Sequence, residues 1–123
     1  MPRYNGSCHC GAVTVAVNRA EPIDRLIDCN CSICSKKGIL HVPVEDDEFE
    51  LLSGEPALSL YQFRSQTARH WFCRHCGIHL FNRPRNHPHR YSVNARCLDE
   101  FETIRDEAHI VAFDGQNHPK DNV

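Results

Sequence analysis

The sequence has no long apolar run. Nothing in its 123 residues approaches the ~18 consecutive apolar residues that a membrane-spanning helix requires. It has no excess of charge either. The formal net charge is −2, with 24% of residues charged. That is no electrostatic footprint for a phosphate backbone, so neither nucleic acid nor a membrane is an expected partner. Basic residues cluster between Arg64 and Arg90, but acidic residues balance them elsewhere, and a solvated face accounts for the cluster. There is no internal repeat and no low-complexity linker. One compact domain, residues 1–123, is expected at this length, with a polar tail over 115–123 that lies on the surface or frays. No apolar export segment follows Met1-Pro2-Arg3-Tyr4. The expected compartment is therefore the cytoplasm, where thiols stay reduced.

Helix signals are also sparse. Only Leu98 to Arg105 reads as one or two helical turns. What is present instead is a series of short strands. Val13, Val15 and Val17 alternate with Ala12, Thr14 and Ala16, the period of a half-buried strand. Ile39 to Val42 is apolar and is expected to stop at Pro43. Phe49 to Leu52 runs into the turn Ser53-Gly54. Leu58 to Phe63 and Ala68 to Phe72 form the arms of a hairpin, and Ile78 to Phe81 follows. Tyr91, Val93, Ala95 and Cys97 alternate, as do His109, Val111 and Phe113. Many short antiparallel strands with little helix imply a mainly β domain.

Eight cysteines are the dominant chemical feature. Seven fall into three groups: Cys8-His9-Cys10-Gly11, then Cys29-Asn30-Cys31-Ser32-Ile33-Cys34, then Cys73-Arg74-His75-Cys76-Gly77. Cysteines one or two residues apart are poorly placed to bridge to each other and well placed to grip one ion. Gly11 and Gly77 supply backbone that can take positive φ after each pair. A structural zinc takes four ligands in a tetrahedron. Cys8, Cys10, Cys73 and Cys76 make four. Cys29, Cys31 and Cys34 then remain, with a vacant fourth position of the kind catalytic zinc sites keep. In the rival partition a histidine such as His41, His70 or His75 completes the triplet, and both sites are closed. Two zinc ions per chain follow from either count.

Three thiolates carry −3 against the +2 of the ion. Such a site is a poor acidifier of water and suits holding an incoming thiol as a nucleophilic thiolate. Lys36 and Lys37 follow the triplet; they either offset its charge and meet a substrate carboxylate, or are solvated surface residues. His9 and His75 read as exposed loop residues, and His79, His87, His89 and His118 as surface or turn residues. Trp71 and Phe72 are expected in the core, and Cys97 as a small buried apolar residue on a strand. Asp114-Gly115 reads as a turn.

The segments GSCHCGAV, CNCSICSKKG and FCRHCGIHLF, with the later VNARCLD and FDGQNHP, resemble those of the glutathione-dependent formaldehyde-activating enzyme family, which includes the centromere protein V domain. The resemblance spans residues 6–119. It implies a small zinc-stapled β-tent. By similarity, Cys8, Cys10, Cys73 and Cys76 would bind the structural zinc, and Cys29, Cys31 and Cys34 the catalytic one. The position between the first two triplet cysteines, His in many members, is Asn30 here. The implied activity is that of a carbon–sulfur lyase acting on a thiol–carbonyl adduct such as S-hydroxymethylglutathione, with glutathione and a small aldehyde, formaldehyde, as partners. The alternative is a non-catalytic zinc-scaffold module that binds a protein.

Overall fold

The computed structural model describes residues 2–63, 66–84 and 89–115. Its elements run β1 (Arg3–Ser7), β2 (Thr14–Asn18), β3 (Arg25–Cys29), α1 (Ser32–Lys37), β4 (Leu40–Glu45), β5 (Phe49–Ser53), β6 (Leu58–Tyr61), β7 (Arg69–Cys73), β8 (His79–Arg83), β9 (Arg90–Asn94), α2 (Phe101–Glu107) and β10 (His109–Phe113). Three short 3-10 turns complete it. The protein is mainly β, as the alternating patterns imply. No helix among the described residues is long and apolar enough to cross a membrane.

The strands form two sheets, one in the order β1-β2-β5 and one in the order β10-β3-β4-β9-β8-β7-β6. Every named pair is antiparallel except β10 with β3, which is parallel from His109–Arg25 to Phe113–Cys29. A parallel partner needs a long crossover. Here everything from α1 to α2 lies between the two strands.

The apolar faces of the sheets meet in one core. Val15 and Val17 of β2 and Val42, Val44, Leu80, Phe81 and Val93 of the larger sheet are buried in it. Phe49 of the small sheet packs on Phe81 (ring centroids 4.7 Å) and Tyr91 (4.5 Å), and Trp71 stacks on Phe81 at 5.1 Å. Ring pairs in this range add attraction beyond burial.

Three boundaries differ from expectation. β4 does not stop at Pro43 but runs through it, pairing Pro43 with Ser92. The Pro43 carbonyl accepts from Arg19 Nη1 at 3.3 Å rather than closing the ladder to β9. A strand residue presents N and C=O to the same side, so the missing N–H falls where no ladder bond is lost. β9 ends at Asn94, whose side chain accepts from the Arg96 N–H and caps a 3-10 turn over Ala95–Cys97, so Cys97 is on a turn and not on a strand. The late helix starts at Phe101, with Ile104 as its buried residue. Of the tail expected over 115–123, only Gly115 lies within the described residues.

Candidate metal centres

The first and third cysteine groups are built by tight turns that leave two different sheets, a β-turn at Cys8–Gly11 and an i to i+4 turn at Cys73–Gly77. Cys8 and Cys10 lie in the loop after β1, and Cys73 and Cys76 lie at the end of β7 and in the turn before β8. Gly11 (φ 81°) and Gly77 (φ 79°) take the left-handed conformation each turn requires. The Gly77 N–H closes the second turn on the Cys73 carbonyl at 2.7 Å. The four sulfurs lie within 4.8 Å of one another. Cys10 Sγ is 3.7 Å from Cys8 Sγ and 3.7 Å from Cys73 Sγ. A tetrahedron of sulfurs about 2.3 Å from a central zinc has edges of about 3.8 Å, so the quartet is compatible with zinc. Backbone dipoles serve thiolates here: the Val13 N–H donates to Cys8 Sγ at 3.4 Å. Against the burial that would raise it, the N–H groups of Cys10 and Ile78 draw the Cys76 thiol down to about 6.

The second group lies at the junction of β3 and α1. Cys29 ends β3, Cys31 is the N-cap of α1 and Cys34 sits inside the helix. Cys31 Sγ accepts from the Cys34 N–H at 3.4 Å, so one sulfur is both cap and candidate ligand. Gly38 stops the helix in the left-handed conformation at φ 66°, with its N–H on the Cys34 carbonyl. The three sulfurs also lie within 4.8 Å of one another, and among the described residues no fourth His, Cys, Asp or Glu joins them. Cys29 and Cys31 are half-buried and Cys34 is buried. Three sulfurs this close cannot all ionise without a cation. Hydrogen bonds from Cys29 and Cys34 pull the Cys31 thiol down, while those shared with Cys29 and Cys31 push Cys34 far up. Each cluster could hold a metal ion. None of the eight cysteines is in a disulfide.

The histidines divide differently from expectation. His9 and His75 are exposed, as expected of loop residues, and His75 stands outside the trio. His41 approaches one member only: its Nε2 is 3.3 Å from Cys34 Sγ, and its Nδ1 is 2.7 Å from Ser92 Oγ. Burial pushes the imidazole down to about 4, so it is neutral near pH 7. Were a metal to hold Cys34 as a thiolate, its sulfur could only accept, which would set Nε2–H toward Cys34 and the Ser92 hydroxyl toward Nδ1. His79, expected at the surface, is buried in β8 at 4% exposure. His87 and His118 fall outside the described residues, and His89 is exposed. Cys97 joins neither cluster. Its Sγ reaches the His79 carbonyl at 3.4 Å, and burial pushes its thiol up to about 12.

One neighbour of the trio has no reactive group, and only the family-like FDGQNHP stretch sets it near the cleft. Gly115 is buried, and a Cβ built there would lie 2.6 Å from Cys29 Sγ and 2.6 Å from Cys31 Cβ. β10 delivers it: the Asn30 N–H donates to the Phe113 carbonyl at 3.2 Å, and Asn30 Nδ2 to Asp114 Oδ1 at 3.3 Å. Gly115→Ala should force the trio apart at a cost of about 1–3 kcal/mol. The metal content measured by atomic emission should fall below that of the wild type and the melting transition should drop by several degrees; an unchanged metal content would contradict this. The broad groove of about 470 Å³ lined by Asp46, Thr67, Arg69, Arg83 and His89 contains none of the cysteines. It lies at the end of the β7–β8 hairpin opposite the Cys73–Cys76 turn.

Fold and clusters together define a small mainly β protein with two cysteine centres of metal-binding geometry. The chain belongs to the glutathione-dependent formaldehyde-activating enzyme family, whose model matches residues 3–114. A crystal structure of a Rhodobacter sphaeroides protein is similar to it, with a TM-score of 0.80 and 34% identity, over 89% of this chain and 99% of that one. Membership supports a function related to glutathione and formaldehyde.

Proposed function

We propose that this protein is a zinc-dependent carbon–sulfur lyase of the cytoplasm, acting on S-hydroxymethylglutathione and, in reverse, joining glutathione to formaldehyde. Cys8, Cys10, Cys73 and Cys76 hold the structural zinc in this reading, and Cys29, Cys31 and Cys34 hold the catalytic one. The observation that carries it is the contrast between a sulfur quartet and a sulfur trio whose fourth corner no described protein ligand fills. The scaffold alternative calls for a fourth protein ligand or a walled-off triplet, whereas Cys29 and Cys31 are both partly exposed.

In the lyase direction the adduct's hydroxyl loses its proton. The C–S bond breaks with its electron pair going to sulfur, and formaldehyde leaves as the C=O bond forms. When bound, zinc would supply the positive charge that keeps the departing sulfur a thiolate at neutral pH. The chain's own groups hold the frame. The Cys34 N–H and the α1 terminus fix Cys31, the Ser92–His41 pair fixes Cys34, and Gly115 leaves room beside Cys29. Three thiolates make the site electron-rich, which favours a nucleophilic sulfur over an acidified water. Proton exchange NMR of formaldehyde with glutathione tests this. The exchange rate should rise in proportion to added zinc-loaded protein, and a rate equal to that of buffer overturns the assignment.

A further inference from the structure

Among the described residues the six buried polar or charged ones, His41, His70, His79, Asn82, Ser92 and Asn94, lie on the four neighbouring strands β4, β9, β8 and β7. The register puts them in one layer. His41 faces Asn94, Ser92 faces Asn82, and Asn82 faces His70; past the bulge between Trp71 and Phe72, which breaks the alternation of β8, His79 faces Phe72, two residues from His70. Directly paired residues share a side of a sheet, and so do residues two apart. The opposite side carries Val42, Val93, Phe81 and Trp71, the apolar core. The larger sheet therefore has a buried polar face, and α1 lies over part of it. Cys34 meets His41 there, and Lys37, one helical turn later, places Nζ 3.1 Å from His79 Nδ1.

The layer is incompletely satisfied. His70 Nδ1 and Nε2, His79 Nε2 and Asn82 Oδ1 are buried and have no hydrogen-bond partner among the described residues. Such atoms are uncommon in folded proteins and call for an explanation. Burial pushes His79 down to about 3, so it is neutral, its Nδ1 accepts from the Lys37 ammonium and its Nε2–H is turned toward the Asn82 side chain. Among the described residues no carboxylate is within ion-pair distance of Lys37. Residues 56–98, which build β6 to β9, hold seven Arg and no Asp or Glu. A cation one helical turn from a cysteine cluster, backed by a polar layer with an unsatisfied His70 ring and without a carboxylate partner, is complementary to a single carboxylate.

We propose that Lys37, positioned by His79, is the anchor for a carboxylate carried by the thiol or the carbonyl component of the substrate. This rests on the trio being the reaction centre, and it names the substrate as anionic. The carboxylate has two possible sources, a thiol such as glutathione or a carbonyl compound such as glyoxylate. Glyoxylate would add across its aldehyde as formaldehyde does, the thiolate bonding to carbon and the oxygen taking a proton.

Calorimetric titration of the zinc-loaded protein with S-methylglutathione, which has no free thiol, and separately with glyoxylate reads the anchor without any turnover. Binding of the first places the carboxylate on the thiol partner, and binding of the second places it on the carbonyl partner. Lys37→Met should weaken the binding about 30-fold, and Lys37→Arg should restore most of it. His79→Asn, which keeps an acceptor facing Lys37, should bind more tightly than His79→Leu. In turnover Lys37→Met should raise KM for the carboxylate-bearing pair and leave kcat within about threefold. Absence of binding by both probes overturns the anchor whether or not the trio reacts. So does equal loss for 2-mercaptoethanol with formaldehyde, a pair without a carboxylate. Absence of turnover with every pair, alongside Lys37-dependent binding, overturns the lyase reading instead and leaves the anchor standing.

Discussion

Cys73→Ser is expected to yield protein that is insoluble or unfolded, with neither its melting transition nor its zinc content intact. Cys73 is fully buried. Its sulfur lies 3.7 Å from that of Cys10, 63 positions earlier in the chain. Cys8 and Cys10 leave the small sheet and Cys73 and Cys76 the large one, so an ion held by all four would staple the two sheets together. Structural zinc contributes on the order of 10–16 kcal/mol in small zinc-dependent peptides. The net stability of a whole domain is only about 5–15 kcal/mol. Losing one of four ligands therefore removes an interaction as large as everything that remains. Cys8→Ser should behave alike. Purified Cys73→Ser with the wild-type melting temperature and two zincs per chain would show that the quartet is not the staple.

Cys31→Ser is expected to do the opposite, abolishing turnover in a folded protein. The trio closes no long loop: its members span residues 29–34 at one strand–helix junction. Cys31 is also a helix cap, and serine is among the best N-cap residues, so its hydroxyl takes over the Cys34 N–H and α1 survives. A neutral hydroxyl is a poor zinc ligand, and the trio becomes a pair. Zinc content should drop from two to one, the exchange of formaldehyde with glutathione should return to the buffer rate, and the melting transition should stay within a few degrees of the wild type. A folded Cys31→Ser protein with undiminished turnover would remove the trio from the chemistry.

The metal centres were more legible than the surfaces around them. Cysteine spacing partitions the seven sulfurs because ligand geometry is local, and C-x-C and C-x-x-C carry it in a few residues. The strands were legible for the same reason, since alternation at Val15 and Val17 or Tyr91 and Val93 is a local pattern. α1 carries its own punctuation, with Cys31 as cap, Lys36 and Lys37 in the last turn and Gly38 as stop, but six residues are too few to show helical periodicity. What sequence could not give was placement across long separations. His79 reads as one more loop histidine until β8 is paired with β7 and β9. Gly115 is a generic turn residue until β10 is laid beside β3. Pro43 looked like a stop because the missing N–H matters only on the side that bonds, and that side is set by neighbours more than 20 residues away on either flank.

The parallel pairing of β10 with β3 also orders events in time. Cys29, Cys31 and Cys34 are made early in synthesis, but the wall beside them comes from the strand that ends at Phe113 and from Gly115. Contacts so far apart along the chain form late, because their closing entropy must be met before they bring any gain. A growing chain thus exposes three bare thiols until β10 and Gly115 have emerged to lie beside them.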